Sequence, residues 1–272
     1  MSPANPSSVG WDNRPQLIDT HCHLDDDDFA GDLDLVLERS AQAGVSRWIN
    51  VGYRLDRWPS TLALARAHPG MSCMVGIHPG HAGEWSHGTA AELRRVVTTG
   101  VPLAIGEIGL DFYRGETNVA EQVTAFTGQL ALAREFGLPA CIHMRNAEDM
   151  VIEVLSEQPE LPVLLFHSFD GSPRLVRWIL EHDAWIGVGG LATRPKSAEL
   201  RSNIAQVGLE RIVLETDSPY LVPTGFKHRR NTPESIPLVA HTVAEVFGVD
   251  WSTVARCTTE NALRVFRKLS PL

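Results

Sequence analysis

Short runs rich in Val, Ile and Leu recur along the chain, with longer amphipathic stretches between them. Eight runs predict strands: LIDTHCH (17–23), VSRWINVG (45–52), MSCMVGIHP (71–79), PLAIGEIG (102–109), LPACIHMR (138–145), PVLLFHSF (162–169), AWIGVGG (184–190) and RIVLETDSP (211–219). In DLDLVLERSAQAG (32–44), Leu33, Val36, Leu37 and Ala41 fall on one helical face and Gly44 supplies a stop. EQVTAFTGQLALAREFG, VIEVLSEQP, SPRLVRWILEHD and ELRSNIAQVG have similar spacing. PESIPLVAHTVAEVFG and WSTVARCTTENALRVFRKL predict two closing helices. No fixed sequence period accompanies the alternation.

Strands that alternate with helices pair in parallel through helical crossovers. Eight such units in about 250 residues match a closed (β/α)8 TIM barrel. The competing doubly wound sheet usually carries a glycine-rich phosphate loop after its first strand, where this chain has HCHLDDDD. No proline- or serine-rich linker interrupts residues 16–268. One α/β domain over 16–272 is therefore expected, behind a flexible tail at 1–15.

Composition narrows the classes. A 43% hydrophobic, 21% charged chain is too apolar for disorder, and its 17 prolines and 22 glycines show no collagen triplet. No run reaches the roughly 18 apolar residues of a membrane span. MSPANPSSVGWDNRP lacks the basic start and apolar core of a signal peptide. Cys22, Cys73, Cys141 and Cys257 are far apart with no CxxC pair, so reduced thiols and a cytoplasmic location are expected. A net charge of -9 argues against non-specific coating of nucleic acid, but leaves room for a few phosphates at one local site.

The chemistry lies at the strand ends. His21 and His23 close the first strand, His78 the third, Glu107 the fourth, His143 the fifth, His167 the sixth and Asp217 the eighth. In this fold strand C-termini face the active-site mouth. Residues two apart on a strand point the same way, so His21 and His23 face one point and Cys22 faces the helices. A lone strand-end His is most often a hydrogen-bonded or surface residue, and a lone acid most often a cap. So many ionisable strand ends are hard to explain as caps, because grouped buried charges are costly unless paired or bound to metal. Imidazoles and carboxylates suit divalent ions such as Zn, Mg or Mn. One carboxylate can bridge two such ions, which together hold a hydroxide and clamp a phosphate or carbonyl. The pattern by itself points to a metal-dependent hydrolase.

The set LIDTHCHLD, VGIHP, IGEIGLDFYR, IHMRNA, FHSFDG and LETDSPYLVP, followed by RRNTPESI and TENALRVF, resembles the TatD family of metal-dependent hydrolases, in order from Leu17 to about Phe266. HxH alone is shared by the wider amidohydrolase-like superfamily; GEIGLD together with ETDSPYL is specific. The resemblance implies a TIM barrel with a divalent-metal centre and deoxyribonuclease activity. It places His21, His23 and Asp217 on one ion, Glu107 between two ions, and His143 and His167 on the second. Gly80-His81, Met144 and Thr232 depart from the pattern in substrate-facing loops, while no ligand is missing.

Other residues are candidates for substrate contact. Arg145 follows His143 by two and should face the same mouth, to grip phosphate or pair with an acid. His78 is expected to contact substrate or move a proton, with Asp217 accepting the proton of the attacking water. Lys227 to Arg230 follow strand eight, so Arg229 and Arg230 are expected on backbone phosphates. Glu215 either holds a ligand histidine or pairs with Arg145. Asp25 and Asp111 are candidates for supporting the ligands. Trp85, Tyr113 and Phe169 either stack on bases or pack. The reading is a phosphodiesterase acting on DNA from an end, with two divalent ions, no membrane and no obligate protein partner. The rivals are hydrolysis of another ester or amide on the same centre, such as D-aminoacyl-tRNA deacylation, and a non-catalytic binding module.

Overall fold

The computed structural model describes residues 16–113, 115 and 118–269. The tail expected at 1–15 and the last residues of the expected domain, 270–272, lie outside the described residues. Eight strands are present: β1 (Leu17–Cys22), β2 (Val45–Gly52), β3 (Met71–Val75), β4 (Pro102–Asp111), β5 (Ala140–Arg145), β6 (Leu164–Phe166), β7 (Trp185–Val188) and β8 (Ile212–Leu214). They pair in parallel in sequence order. The crossovers are α1 (Leu33–Gln42), α2 (Trp58–Ala67), α3 (His87–Thr98), α4 (Val119–Glu135), α5 (Glu148–Ser156), α6 (Pro173–Glu181) and α7 (Ala198–Val207). Two closing helices follow, α8 (Ile236–Phe247) and α9 (Trp251–Val265). This is the expected (β/α)8 barrel. No helix among the described residues is long and apolar enough to cross a membrane.

Local chemistry fixes several boundaries. Ser172 Oγ accepts the amides of Arg174 and Leu175 at the start of α6, with Pro173 in the first turn. Asp250 caps α9 through the Thr253 amide, and Gly248 ends α8 in the left-handed region. Two helices, α2 and α3, lie in stretches whose spacing does not stand out in the sequence. They open on Trp58-Pro59 and His87-Gly88, which mix apolar and polar positions in their first turns.

Two hydrophobic layers hold the barrel. The larger packs strand residues such as Val45, Val75, Ile105 and Ile142 against the helices. The smaller contains Ile18, Ile49, Val51, Met74, Leu165 and Val213, and α9 adds Ala262 and Val265 to it, with Phe266 just after the helix. Apolar filling of this kind leaves the opposite, C-terminal end of the strands free for polar residues.

β6 and β8 are shorter than their apolar runs. The chain leaves the ladder where function-bearing residues begin: Ser168 and Asp217 both have positive φ, +48° and +55°, which a regular strand does not accommodate. Among the described residues no ladder joins β8 to β1, only an isolated bridge between Cys22 and Ser218. The seam is closed by the Asp217 amide on His21 O (2.8 Å), the His23 amide on Ser218 O (2.8 Å) and Thr20 Oγ1 on Leu214 O (3.0 Å).

The β4–β5 contact imposes a strict steric limit. A Cβ on Gly109 would lie 1.9 Å from His143 O, at a φ of +143°. Gly100 also has positive φ (+77°), but nothing lies within 4 Å of its Cβ position. Gly109→Ala is therefore expected to cost roughly 1–3 kcal/mol more than Gly100→Ala, or to prevent folding. Urea denaturation midpoints check this, and equal midpoints would contradict it.

Candidate metal centre

β1, β4, β5, β6 and the segment after β8 bring all six sequence-predicted ligands to one end of the barrel, where two groups form. In the first, His23 Nε2 is 3.2 Å and His21 Nε2 is 3.7 Å from Asp217 Oδ1. In the second, Glu107 Oε1 is 2.6 Å from His143 Nδ1 and 2.7 Å from His167 Nε2. Glu107 joins the groups, because its other oxygen, Oε2, is 3.6 Å from His21 Nε2. The His21 and His167 rings stack at 4.1 Å. Within each group the candidate ligand atoms lie within 4.8 Å of one another.

The outer ring nitrogens set which atom is offered inward. His23 donates Nδ1–H to Val51 O (3.3 Å), so that Nε2 is the nitrogen that faces Asp217, and it would offer its lone pair to a cation once its proton leaves. For His143 the roles reverse: Nε2–H donates to Asp111 Oδ2 (3.1 Å), and Nδ1 faces Glu107. Such outer partners orient metal-binding histidines. Asp111 is thereby placed as the sequence suggested. Asp25 instead accepts from Asn50 Nδ2, Ser60 Oγ and Thr61 Oγ1, and so ties the β1–α1 loop to β2 and α2.

Electrostatics distinguish the groups. Burial works against the charged form of His23, but the hydrogen bond and charge of Asp217 raise its pKa to about 9. Burial likewise disfavours charge on His143, yet Glu107 and Asp111 raise it to about 9. Burial, reinforced by His167, pushes His21 down to about 4. Burial would raise Glu107, but the imidazoles of His167, His78 and His143 outweigh it and hold Glu107 well below the usual carboxylate range.

The donor set fits a divalent cation. His21 Nε2 is fully buried and has no hydrogen-bond partner, although it lies between two carboxylate oxygens. Burying that nitrogen without a partner is unfavourable, and a cation between His21, Glu107 and Asp217 would take up its lone pair.

His78 stands beside this set, edge-on to His143 at 4.3 Å. Its Nδ1 accepts the Gly80 amide (2.9 Å), so the neutral ring carries its proton on Nε2, 3.8 Å from Glu107 Oε1. Burial, aided by His143, pushes its pKa down to about 3. With Nδ1 engaged by the Gly80 amide, His78 presents Nε2–H as a donor, although with Asp111 and His143 it also forms a group whose atoms lie close enough to hold a cation.

The expected substrate contacts divide. Arg145 is exposed and its guanidinium lies 3.5 Å over the ring of Tyr113, which is 59% exposed. Arg229 is exposed. Arg230 departs from expectation. Its guanidinium donates to Asp28 O and to Asp32 Oδ2 (2.7 Å) and lies 4.5 Å over Phe29. These contacts take up donors on both terminal nitrogens and tie it to the β1–α1 loop. Phe169 is core, and Trp85 packs on α4 at Gly128. Glu215 is buried below His167, with Oε1 3.8 Å from His167 Nδ1 and accepting the Ser168 amide. Gly187 makes room for it, since a Cβ there would meet Glu215 Oε2 at 2.1 Å. Sequence reasoning missed Asp19, Thr216 and Asn231, which interlock beside Asp217. For Asp19 and Thr216 the one available signal was their place near ligands, in DTHCH and ETDSP; Asn231, in RNTPESI, lies away from them in sequence.

The TatD related DNase family model matches residues 18–267. The Erwinia tasmaniensis protein named 3'-5' ssDNA/RNA exonuclease TatD is 36% identical over 257 residues, covering 92% of this chain and 99% of that protein. The Bacillus subtilis protein named uncharacterized metal-dependent hydrolase YabD is 30% identical over 252 residues, with the same coverages. The crystal structure of YJJV, a TatD homolog from Escherichia coli K12, superposes with a TM-score of 0.88 at 30% identity. That match covers 94% of this chain and 99% of the other. With the barrel and the strand-end His, Asp and Glu groups already in place, the match over nearly its whole length makes this chain a member of the TatD family of metal-dependent hydrolases.

Proposed function

We propose that the chain is a two-ion phosphodiesterase that shortens single-stranded DNA from an end, within one domain and in the cytoplasm. The observation that carries the two-ion reading is Glu107, whose two oxygens face different ligand groups. Four free thiols, three of them buried, support a reducing location. The names of the relatives in Erwinia and other bacteria support the substrate.

His21, His23 and Asp217 would hold one ion, His143 and His167 the other, and Glu107 both. When bound, divalent ions acidify water and offset charge on a phosphoryl group. The chain's own residues do the rest. Asp217, facing both first-strand histidines, accepts the proton of the attacking water. His78 donates its Nε2–H to a phosphoryl or leaving oxygen. Arg145, held flat against Tyr113, presents its guanidinium edge to phosphate and leaves Tyr113 to support a base. Arg229 contributes at the rim. Metal competes with protons here, because His23 and His143 hold theirs up to about pH 9 without it.

The direct test assays metal-loaded protein on end-labelled single-stranded DNA, duplex DNA, RNA and an aminoacyl ester. Stepwise shortening of the single strand is expected. Internal cuts, or hydrolysis of the aminoacyl ester alone, would overturn the reading. Glu107→Ala should lower metal content at both positions. Asp217→Asn should keep much of the metal but lose roughly 10²–10⁴-fold in single-turnover rate. Elemental analysis beside those rates decides it, and the reverse pattern would contradict the assignment.

The two arginines make a separate prediction. Arg145→Ala should raise KM and reduce the salt dependence of kcat/KM by about one phosphate contact. Arg230→Ala should leave the salt slope unchanged and lower stability instead. Interchanged effects would show that phosphate lies on the β8 side.

A further inference from the structure

The barrel seam between β1 and β8 lacks a strand ladder, yet it carries His21, His23 and Asp217. Asp217 itself sits at a φ of +55°, outside strand geometry. Something other than sheet pairing must fix where its carboxylate points.

Asp19 is fully buried and accepts three donors. Its Oδ2 takes the Thr216 hydroxyl at 2.6 Å. Its Oδ1 takes the Thr216 amide at 3.0 Å and the His21 amide at 3.3 Å. Having spent its proton on Asp19, the Thr216 hydroxyl oxygen accepts the Ser218 amide at 3.1 Å. Both chain neighbours of Asp217, and the backbone of His21, are thus tied to one carboxylate. From the other side Asn231 Nδ2 donates to Thr216 O at 2.9 Å. Asn231 is itself fixed: its amide bonds Pro219 O (3.1 Å) and its Oδ1 accepts Ser235 Oγ (2.7 Å).

We propose that Asp19, Thr216 and Asn231 form a positioning clamp that aims the Asp217 carboxylate at His21 and His23, an assignment that rests on the reading of Asp217 given above. The chemistry requires a carboxylate at 19. Its three hydrogen-bond partners all donate to it, whereas an asparagine would turn one of its two acceptor atoms into a donor, and the Thr216 hydroxyl could then no longer donate to residue 19. It also requires a hydroxyl at 216, because one atom must donate to Asp19 and accept from Ser218. The clamp touches neither substrate nor metal. It acts on the reaction through Asp217.

The test uses the whole chain with Thr216→Val, which keeps shape without the hydroxyl, Thr216→Ser, which restores it, Asp19→Asn, and Asp217→Asn as reference. Calorimetric titration of the metal-free protein with Mn²⁺ is read beside kcat and KM on a single-stranded oligonucleotide and the urea midpoint. Thr216→Val and Asp19→Asn should lower kcat by roughly 10–100-fold and weaken one Mn²⁺ site, by no more than Asp217→Asn does. The KM for DNA and the second site should change little. Thr216→Ser should recover most of both losses. If Asp19→Asn does not fold, the Val/Ser pair at 216 decides. Folded Thr216→Val with wild-type kcat and both Mn²⁺ affinities overturns the clamp, as do equal losses in Val and Ser. In either case an inactive Asp217→Asn confines the failure to the clamp. Wild-type turnover by Asp217→Asn would instead overturn the reading of Asp217 on which the clamp depends.

Discussion

Four imidazoles and two carboxylates converge at the end of a barrel with a largely apolar core, and the rest of the site answers that constraint. Such groups cannot stay charged and unpaired at this depth. Among themselves they compensate in pairs: Asp217 and Glu107 raise the pKa values of His23 and His143 to about 9, while burial lowers that of His21. A divalent ion held among these residues would compete with those protons. Outside the ring, Val51 O and Asp111 fix which nitrogen of His23 and His143 faces inward. Glycines at 109 and 187 keep the β4–β5 contact close and make room for Glu215.

The same constraint explains where the barrel is irregular. A regular β8–β1 ladder would carry Asp217 past the two histidines on extended backbone. The chain instead leaves the ladder at Leu214, turns at Asp217 and is held by side chains. Barrel closure and placement of the Asp217 carboxylate share one set of hydrogen bonds. Arg145 on Tyr113 is a flat, exposed cation in an acidic protein.

Much of this was legible in the chain. The strand–helix alternation gave the barrel, and strand-end placement pointed seven ionisable residues at one mouth, because period-two geometry and the polarity of the fold determine where they point; the resemblance to TatD proteins selected six of them as candidate ligands. Contacts between distant loops were not legible. Arg230 read as a phosphate contact in the KHRR run. Its tie to Asp28, Asp32 and Phe29 spans most of the chain and has no local signature. Asp19 and Thr216 sit beside ligands in sequence, but their bond depends on a seam whose geometry no periodicity encodes. Helices α2 and α3 were obscured because their first turns mix polar and apolar residues.

The central claim is that two divalent ions share Glu107. Crystals of the chain soaked in Mn²⁺ and measured at a wavelength where manganese scatters anomalously test it most directly. The account predicts two anomalous peaks roughly 3.5–4 Å apart, one among His21, His23 and Asp217, the other beside His143 and His167, with a Glu107 oxygen on each. A single peak away from Glu107, or no peak at these residues at saturating Mn²⁺, would contradict it.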